Sequence, residues 1–156
     1  MIRVETYFAY PSAIGRLSLG CAGDTLVRVA LGDVTLDGQR KATALSNAAA
    51  NEIHDYLAGK RRIFTVPFRT QGTEFQQLVW DYLVGIPYGQ TRTYADVAAS
   101  IGHPRSQRAV GMACNANPLP LILPCHRVVG VQGALGGYVL GRPLKQRLLE
   151  LEHTHA

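Results

Sequence analysis

The chain has 156 residues, enough for one ordinary domain or two small lobes, and 47% of them are hydrophobic against 17% charged. That balance excludes an intrinsically disordered chain, and no apolar run approaches the ~20 residues that cross a bilayer as a helix. Lys and Arg number 16 and Asp and Glu 11, a formal net charge of +5 that suits a polyanionic partner such as nucleic acid.

The opening residues, Met1-Ile2-Arg3-Val4-Glu5, read as strand and carry no signal-peptide core, so a cytoplasmic protein is expected. Residues 3–10, 16–22 and 25–31 are β-rich and divided by Pro11-Ser12 and Gly23-Asp24, which predicts antiparallel strands. A helix is predicted over 42–58, where Leu45, Ala49, Ile53, Tyr56 and Leu57 recur at helical spacing and Gly59 stands at the C-terminal cap. Residues 63–66 read as one more strand, and Pro67 to Gly72 as a linker. The expected fold is α+β. A small N-terminal lobe of antiparallel sheet plus helix (residues 1–70) is structural, and a mostly helical domain (71–156) holds a helix-turn-helix and the chemistry.

The second domain opens with Thr73 as N-cap and Glu74 in the first turn, followed by Phe75, Leu78, Val79 and Tyr82 on one apolar face, closed by Gly85 and Pro87. Pro87-Tyr88-Gly89-Gln90 is a turn. Thr93 with Asp96 resembles a capping box for a helix over 94–101, and Gly102-His103-Pro104 leads to a second helix over 105–115. That layout is a helix-turn-helix, shared with many proteins that do not bind DNA. On the second helix Arg108, Gly111, Met112 and Asn115 fall on one face, while Ala109, Val110, Ala113 and Cys114 keep the rest small. A glycine inside a helix costs ~1 kcal/mol relative to alanine. Such a helix suits either tight packing on another helix or close approach to a groove of negative potential, and the arginine favours the groove.

Cys21, Cys114 and Cys125 are odd in number and not closely spaced, which argues against a disulfide framework. Without a Cys-x-x-Cys or His-x-x-x-His pair, no metal site is expected. The run from Asn117 to Val129 is broken by Pro118, Pro120 and Pro124, so residues 121–123 should be a buried strand or extended segment. Cys125 and His126 follow side by side. In a regular strand they would face opposite ways, but an irregular turn after Pro124 lets the imidazole act on the thiol, directly or through water. His126 and Arg127 would also lower the thiol pKa from its ordinary ~8.5. The residues alone leave other readings open: an inert core cysteine, or a cysteine hydrolase whose base is a distant His54 or His103.

The stretch Arg108-Ala109-Val110-Gly111, then Asn117-Pro118-Leu119-Pro120-Leu121-Ile122-Leu123-Pro124-Cys125-His126-Arg127-Val128, resembles the active-site region of the O6-alkylguanine-DNA alkyltransferases. Gly72-Thr73-Glu74-Phe75-Gln76, Ile86-Pro87-Tyr88-Gly89, Thr93-Tyr94-Ala95-Asp96-Val97-Ala98, Gly136-Gly137-Tyr138 and the segment from Lys145 to Glu152 are similar to that family in order and spacing. The resemblance implies irreversible, single-use transfer of the alkyl group from O6-alkylguanine, and from O4-alkylthymine, to Cys125. It implies His126 as a base acting through water, Glu152 orienting it, Asn117 holding the cysteine turn, and Tyr94 donating to the guanine. Arg108 would replace the flipped base, with Thr93, Tyr94, Gly111, Met112 and Asn115 against DNA and Val128, Tyr138 and Val139 around the guanine. The implied partner is double-stranded DNA containing alkylated guanine, bound by a monomer that can act cooperatively, with no cofactor and no membrane. The rival readings are an alkyltransferase-like sensor, which would lack the cysteine, and a transcriptional regulator, for which the chain leaves little room.

Overall fold

A computed structural model describes residues 2–156, and the chain divides into two compact units, Met1–Gln71 and Gly72–Ala156. In the first unit, β1 (Thr6–Tyr10), β2 (Leu17–Ala22) and β3 (Thr25–Leu31) form an antiparallel meander, and β4 (Gln39–Arg40) adds in parallel to the other edge of β1. The order is β3-β2-β1-β4. β2 is buried along its whole length, as a central strand between two neighbours and a covering helix should be. That helix, α1 (Ala44–Leu57), turns Ala49, Ile53 and Tyr56 inward, starts from a Thr43–Ser46 capping box and ends at Ala58, with Gly59 in the left-handed region just beyond.

Two expectations for this unit fail for the same reason: backbone groups find other partners. Residues 63–66 are not a strand, because the Glu52 carboxylate accepts the N–H groups of Thr65 (2.7 Å) and Val66 (3.1 Å) and the Thr65 hydroxyl (2.7 Å). The segment after Pro67 is not wholly a free linker. Leu26 donates to the Pro67 carbonyl (2.8 Å) and accepts from Arg69 (3.0 Å), so Phe68 lies along the outer edge of β3. The two-residue β4 was not foreseen, being too short to carry a period.

The second unit contains α2 (Glu74–Leu83), β5 (Arg92–Thr93), α3 (Tyr94–Ser100), α4 (Gln107–Asn115), β6 (Val128–Val129) and α5 (Arg142–His155). Thr73 and Thr93 each close a reciprocal capping box, with Gln76 and Asp96. The buried face of α2 is Val79, Trp80 and Leu83, whereas Leu78 is 41% exposed. The Trp80 indole pulls the helix round by donating to the Ala113 carbonyl of α4 at 2.9 Å. α4 buries Val110, Ala113 and Cys114 and packs against α2 and α3. Residues 120–123 are buried but form a tight turn instead of a strand, with Leu121 at φ 78° and Leu123 N–H donating to the Leu119 carbonyl. Among the described residues no helix is long and apolar enough to cross a membrane.

Candidate active site

A single turn of 3-10 helix, Cys125–Arg127, follows Pro124 and leads directly into β6. β6 pairs in parallel with β5, Arg92 opposite Val128 and Thr93 opposite Val129. Since α3 starts at the end of β5, this pairing brings Tyr94 alongside the segment that carries the cysteine. Local sequence thus sets the cysteine turn, and a two-residue ladder sets its neighbour.

Asn117 fixes the turn. Its amide nitrogen donates to the Leu123 carbonyl (3.0 Å) and to the Cys125 sulfur (3.1 Å), and its amide oxygen accepts from Leu119 N–H (2.8 Å). Cys125 is only 2% exposed. Burial pushes its thiol up to about 11, against the lowering effects of the Asn117 hydrogen bond and the Lys145 charge. The expectation of a thiol acidified by His126 and Arg127 is therefore corrected. The positive group that acts on the sulfur is Lys145, and burial outweighs it.

His126 is fully buried and shares a 2.6 Å hydrogen bond between its Nε2 and Glu152 Oε2. Burial alone would raise the Glu152 carboxyl, but the hydrogen bonds from His126 and Arg127 hold it well below the ordinary carboxylate value. It is thus an anion and can only accept, so the neutral imidazole carries its proton on Nε2 and presents Nδ1 as its basic atom. Burial also pushes His126 down, against the pull of Glu152.

Two further residues are essential to this arrangement: Arg127, which the sequence reading tied to the thiol and not to Glu152, and Lys145, to which it gave no role of its own. Arg127 donates from Nε to Glu152 Oε1 (2.8 Å), from Nη2 to Oε2 (3.0 Å) and from Nη1 to the Ile86 carbonyl (2.6 Å), and it lies over the Tyr88 ring. Gly89 N–H adds a further donor to Glu152 Oε1 at 3.1 Å. Lys145 is fully buried, and its ammonium donates to the carbonyls of Val128 (2.6 Å) and Gly137 (3.1 Å) and to the Tyr94 hydroxyl (3.4 Å). The signal available was its place in α5 among Leu144, Leu148 and Glu152, a cation on the buried stripe.

Tyr94 is pushed up to about 12 by burial and the Cys114 and Cys125 thiols, so it keeps its proton at neutral pH and can donate. The Tyr138 ring stands edge-on to His126 with centroids 6.3 Å apart. Val128 is fully buried and its carbonyl accepts from Lys145, while Val139 is 38% exposed. Arg108, Met112 and Asn115 lie on the open face of α4, Met112 being 68% exposed. A Cβ on Gly111 would stand 3.7 Å from the Tyr94 ring, and one on Gly137 would stand 3.9 Å from the Asn115 amide oxygen, so this face borders the site. Thr93 is committed to capping α3, its hydroxyl accepting from Asp96 N–H. The structure thus gathers Cys125, His126, Glu152, Asn117, Tyr94 and Tyr138 around one centre and leaves Arg108, Met112 and Asn115 facing outward. His54 lies in α1 and His103 between α3 and α4.

Comparison with known proteins identifies the family. Residues 74–154 match the family model described as 6-O-methylguanine DNA methyltransferase, DNA binding domain. A methylated-DNA–protein-cysteine methyltransferase of Methanosarcina acetivorans is 49% identical over 104 residues, covering 67% of each chain. The protein of the same name from Mycobacterium tuberculosis is 40% identical over 154 residues, 96% of this chain and 93% of that one. A crystal structure of Mycobacterium tuberculosis OGT in complex with DNA superposes with a TM-score of 0.90 at 39% identity, covering 97% of this chain and 94% of that chain. With a buried, asparagine-held cysteine at its centre and relatives of this name aligned almost end to end, the chain belongs to the methylated-DNA–protein-cysteine methyltransferase family.

Proposed function

We propose that this protein repairs DNA by direct reversal, moving the alkyl group of O6-alkylguanine, and of O4-alkylthymine, onto Cys125. The observation that carries this reading is the Cys125 thiol fixed by Asn117 beside a neutral histidine whose Nε2 is held by an ionised Glu152. Cys125 Sγ attacks the alkyl carbon in line with the C–O6 bond. A C–S bond forms, the C–O6 bond breaks, and its electron pair passes to the guanine. The thiol proton goes to His126 Nδ1 through a bridging water and is returned to the base, which leaves as ordinary guanine. A thiol titrating near 11 is mostly protonated at neutral pH, so this base is needed at the moment of attack. The thioether is not cleaved, and each molecule acts once.

DNA is the partner. A buried thiol cannot reach a base inside a duplex, so the nucleotide is flipped out, with Arg108 filling the gap in the stack. Gly111, Met112 and Asn115 lie against the minor groove, and Thr93 and Tyr94 meet the backbone beside the flipped nucleotide. Tyr94 donates to the guanine ring, and Val128, Tyr138 and Val139 line its pocket. The protein works as a monomer that can bind cooperatively along DNA, in a reducing cytoplasmic setting that keeps Cys125 a thiol.

Titrating the protein with a duplex containing O6-methylguanine tests this. Repair should stop when the repaired lesions equal the protein supplied. Tight binding with no repair would favour a lesion sensor, and repair beyond one lesion per protein would favour a hydrolase.

A further inference from the structure

Glu152 is shared between two partners whose demands conflict. It bonds His126 Nε2 through Oε2, and both of its oxygens are bonded by Arg127. A buried carboxylate facing an imidazole alone draws a proton onto the ring and makes an ion pair. A charged imidazole has no lone pair and cannot take the thiol proton. The guanidinium changes that balance, because it is permanently charged and grips a carboxylate with two parallel N–H groups. With Arg127 in place, the Glu152 charge is already matched.

We propose that Arg127 is a positioning residue for the proton relay, gripping both oxygens of Glu152, the one bonded to His126 included, so that the imidazole stays neutral and able to accept the proton of Cys125. This deepens the transfer reading above and rests on it. Arg127 is well placed to do so, since its Nη1 is tied to the Ile86 carbonyl at 2.6 Å and its plane lies 5.7 Å from the Tyr88 ring centre. The charged and titratable groups around His126 are Glu152 and Lys145 from α5, Arg127 and Cys125 from its own turn, and Tyr138 from the loop before α5. Glu152 alone pulls a proton toward the ring. Burial opposes it first, then the charges of Arg127 and Lys145, and of these two only Arg127 also touches the carboxylate. A merely structural ion pair would serve equally well beside a charged histidine.

The test is a pH titration of the His126 ring nitrogens by NMR in the intact wild-type protein, R127K and R127Q, together with the pH dependence of Cys125 alkylation by free O6-benzylguanine. The wild-type ring should be neutral with its proton on Nε2 at neutral pH. In R127Q its titration, and the acid limb of the rate profile, should move to higher pH, lowering the rate at mildly acidic pH about tenfold for each unit moved. R127K should fall between. Identical His126 titrations with a uniform rate loss at every pH would overturn the proposal. Should R127Q not fold, the wild-type spectrum decides, since a ring titrating at or above the ordinary value of 6.5 overturns it alone. The NMR result requires no transfer from DNA, so it separates failure of this proposal from failure of the repair reading.

Discussion

Asn117 donates to the Cys125 sulfur at 3.1 Å from a side chain that is itself buried and already bridging the loop at Leu119 and Leu123. One amide thus sets both the path of the chain and the position of the nucleophile. Asn117→Ala should leave the Leu119 N–H without its partner and the Leu123 carbonyl with only the Cys125 N–H. Each buried group stripped of its bond costs about 1–3 kcal/mol. The expected outcome is a lower urea midpoint and a slower reaction with both alkylated duplex and free O6-benzylguanine. A normal midpoint with normal rates would remove Asn117 from the mechanism.

Acid should weaken the fold in two stages. Folded His126 and Glu152 both hold their protons less readily than the unfolded chain does. The stability they contribute is present above the unfolded values and lost as pH falls. The first loss begins near 6.5, where unfolded His126 takes up a proton that the folded protein excludes. The second begins near 4.5, where unfolded Glu152 is protonated and the folded carboxylate is not. Urea unfolding followed across this range reads both stages, and Glu152→Gln should reduce the lower one, leaving the part that comes from Glu52 and Asp96.

Much of this unit was legible in the sequence where the cause is local. The Thr73 and Thr93 caps, the turn after Pro124 and the small buried side of α4 follow from neighbouring residues. The register of α5 likewise distinguishes buried Glu152 from Glu150, whose carboxylate is exposed and pairs with Gln146. What could not be read is convergence. The partners of Arg127 come from Ile86 just beyond α2, Tyr88 in the turn that follows and Glu152 near the end of α5. No spacing announces that meeting. The same holds for Thr65 and Val66, which read as strand until a carboxylate from α1 takes their N–H groups.

Lys145 joins β6 to the loop ahead of Tyr138 by its bonds to the Val128 and Gly137 carbonyls. Lys145→Met keeps the length of the side chain and removes the donors. The expected result is faster amide exchange across residues 136–140 and slower alkylation of Cys125, because the positive charge acting on the thiol is also gone. Unchanged exchange in that loop would contradict the bridging role.

Two glycines should respond in opposite ways. Gly136 has φ 75° and a Cβ there would collide with the Tyr94 hydroxyl, so Gly136→Ala should displace Tyr94 and slow reaction even with the free base. Gly111 has room for a methyl at ordinary contact distance from the Tyr94 ring. Gly111→Ala should therefore keep or slightly raise stability, by up to about 1 kcal/mol from helix propensity, while weakening binding to duplex DNA. Equal loss on duplex and free base would mean that the α4 face does not meet DNA.

Three buried thiols are present among the described residues, at Cys21, Cys114 and Cys125, and the central claim is that one of them is the acceptor. Incubation with a duplex containing O6-methylguanine, followed by intact-mass measurement and peptide mapping, distinguishes them. The expected result is one added methyl per chain, located on Cys125 and absent in Cys125→Ser. A methyl on Cys114 or Cys21, or an undiminished gain in Cys125→Ser, would contradict it.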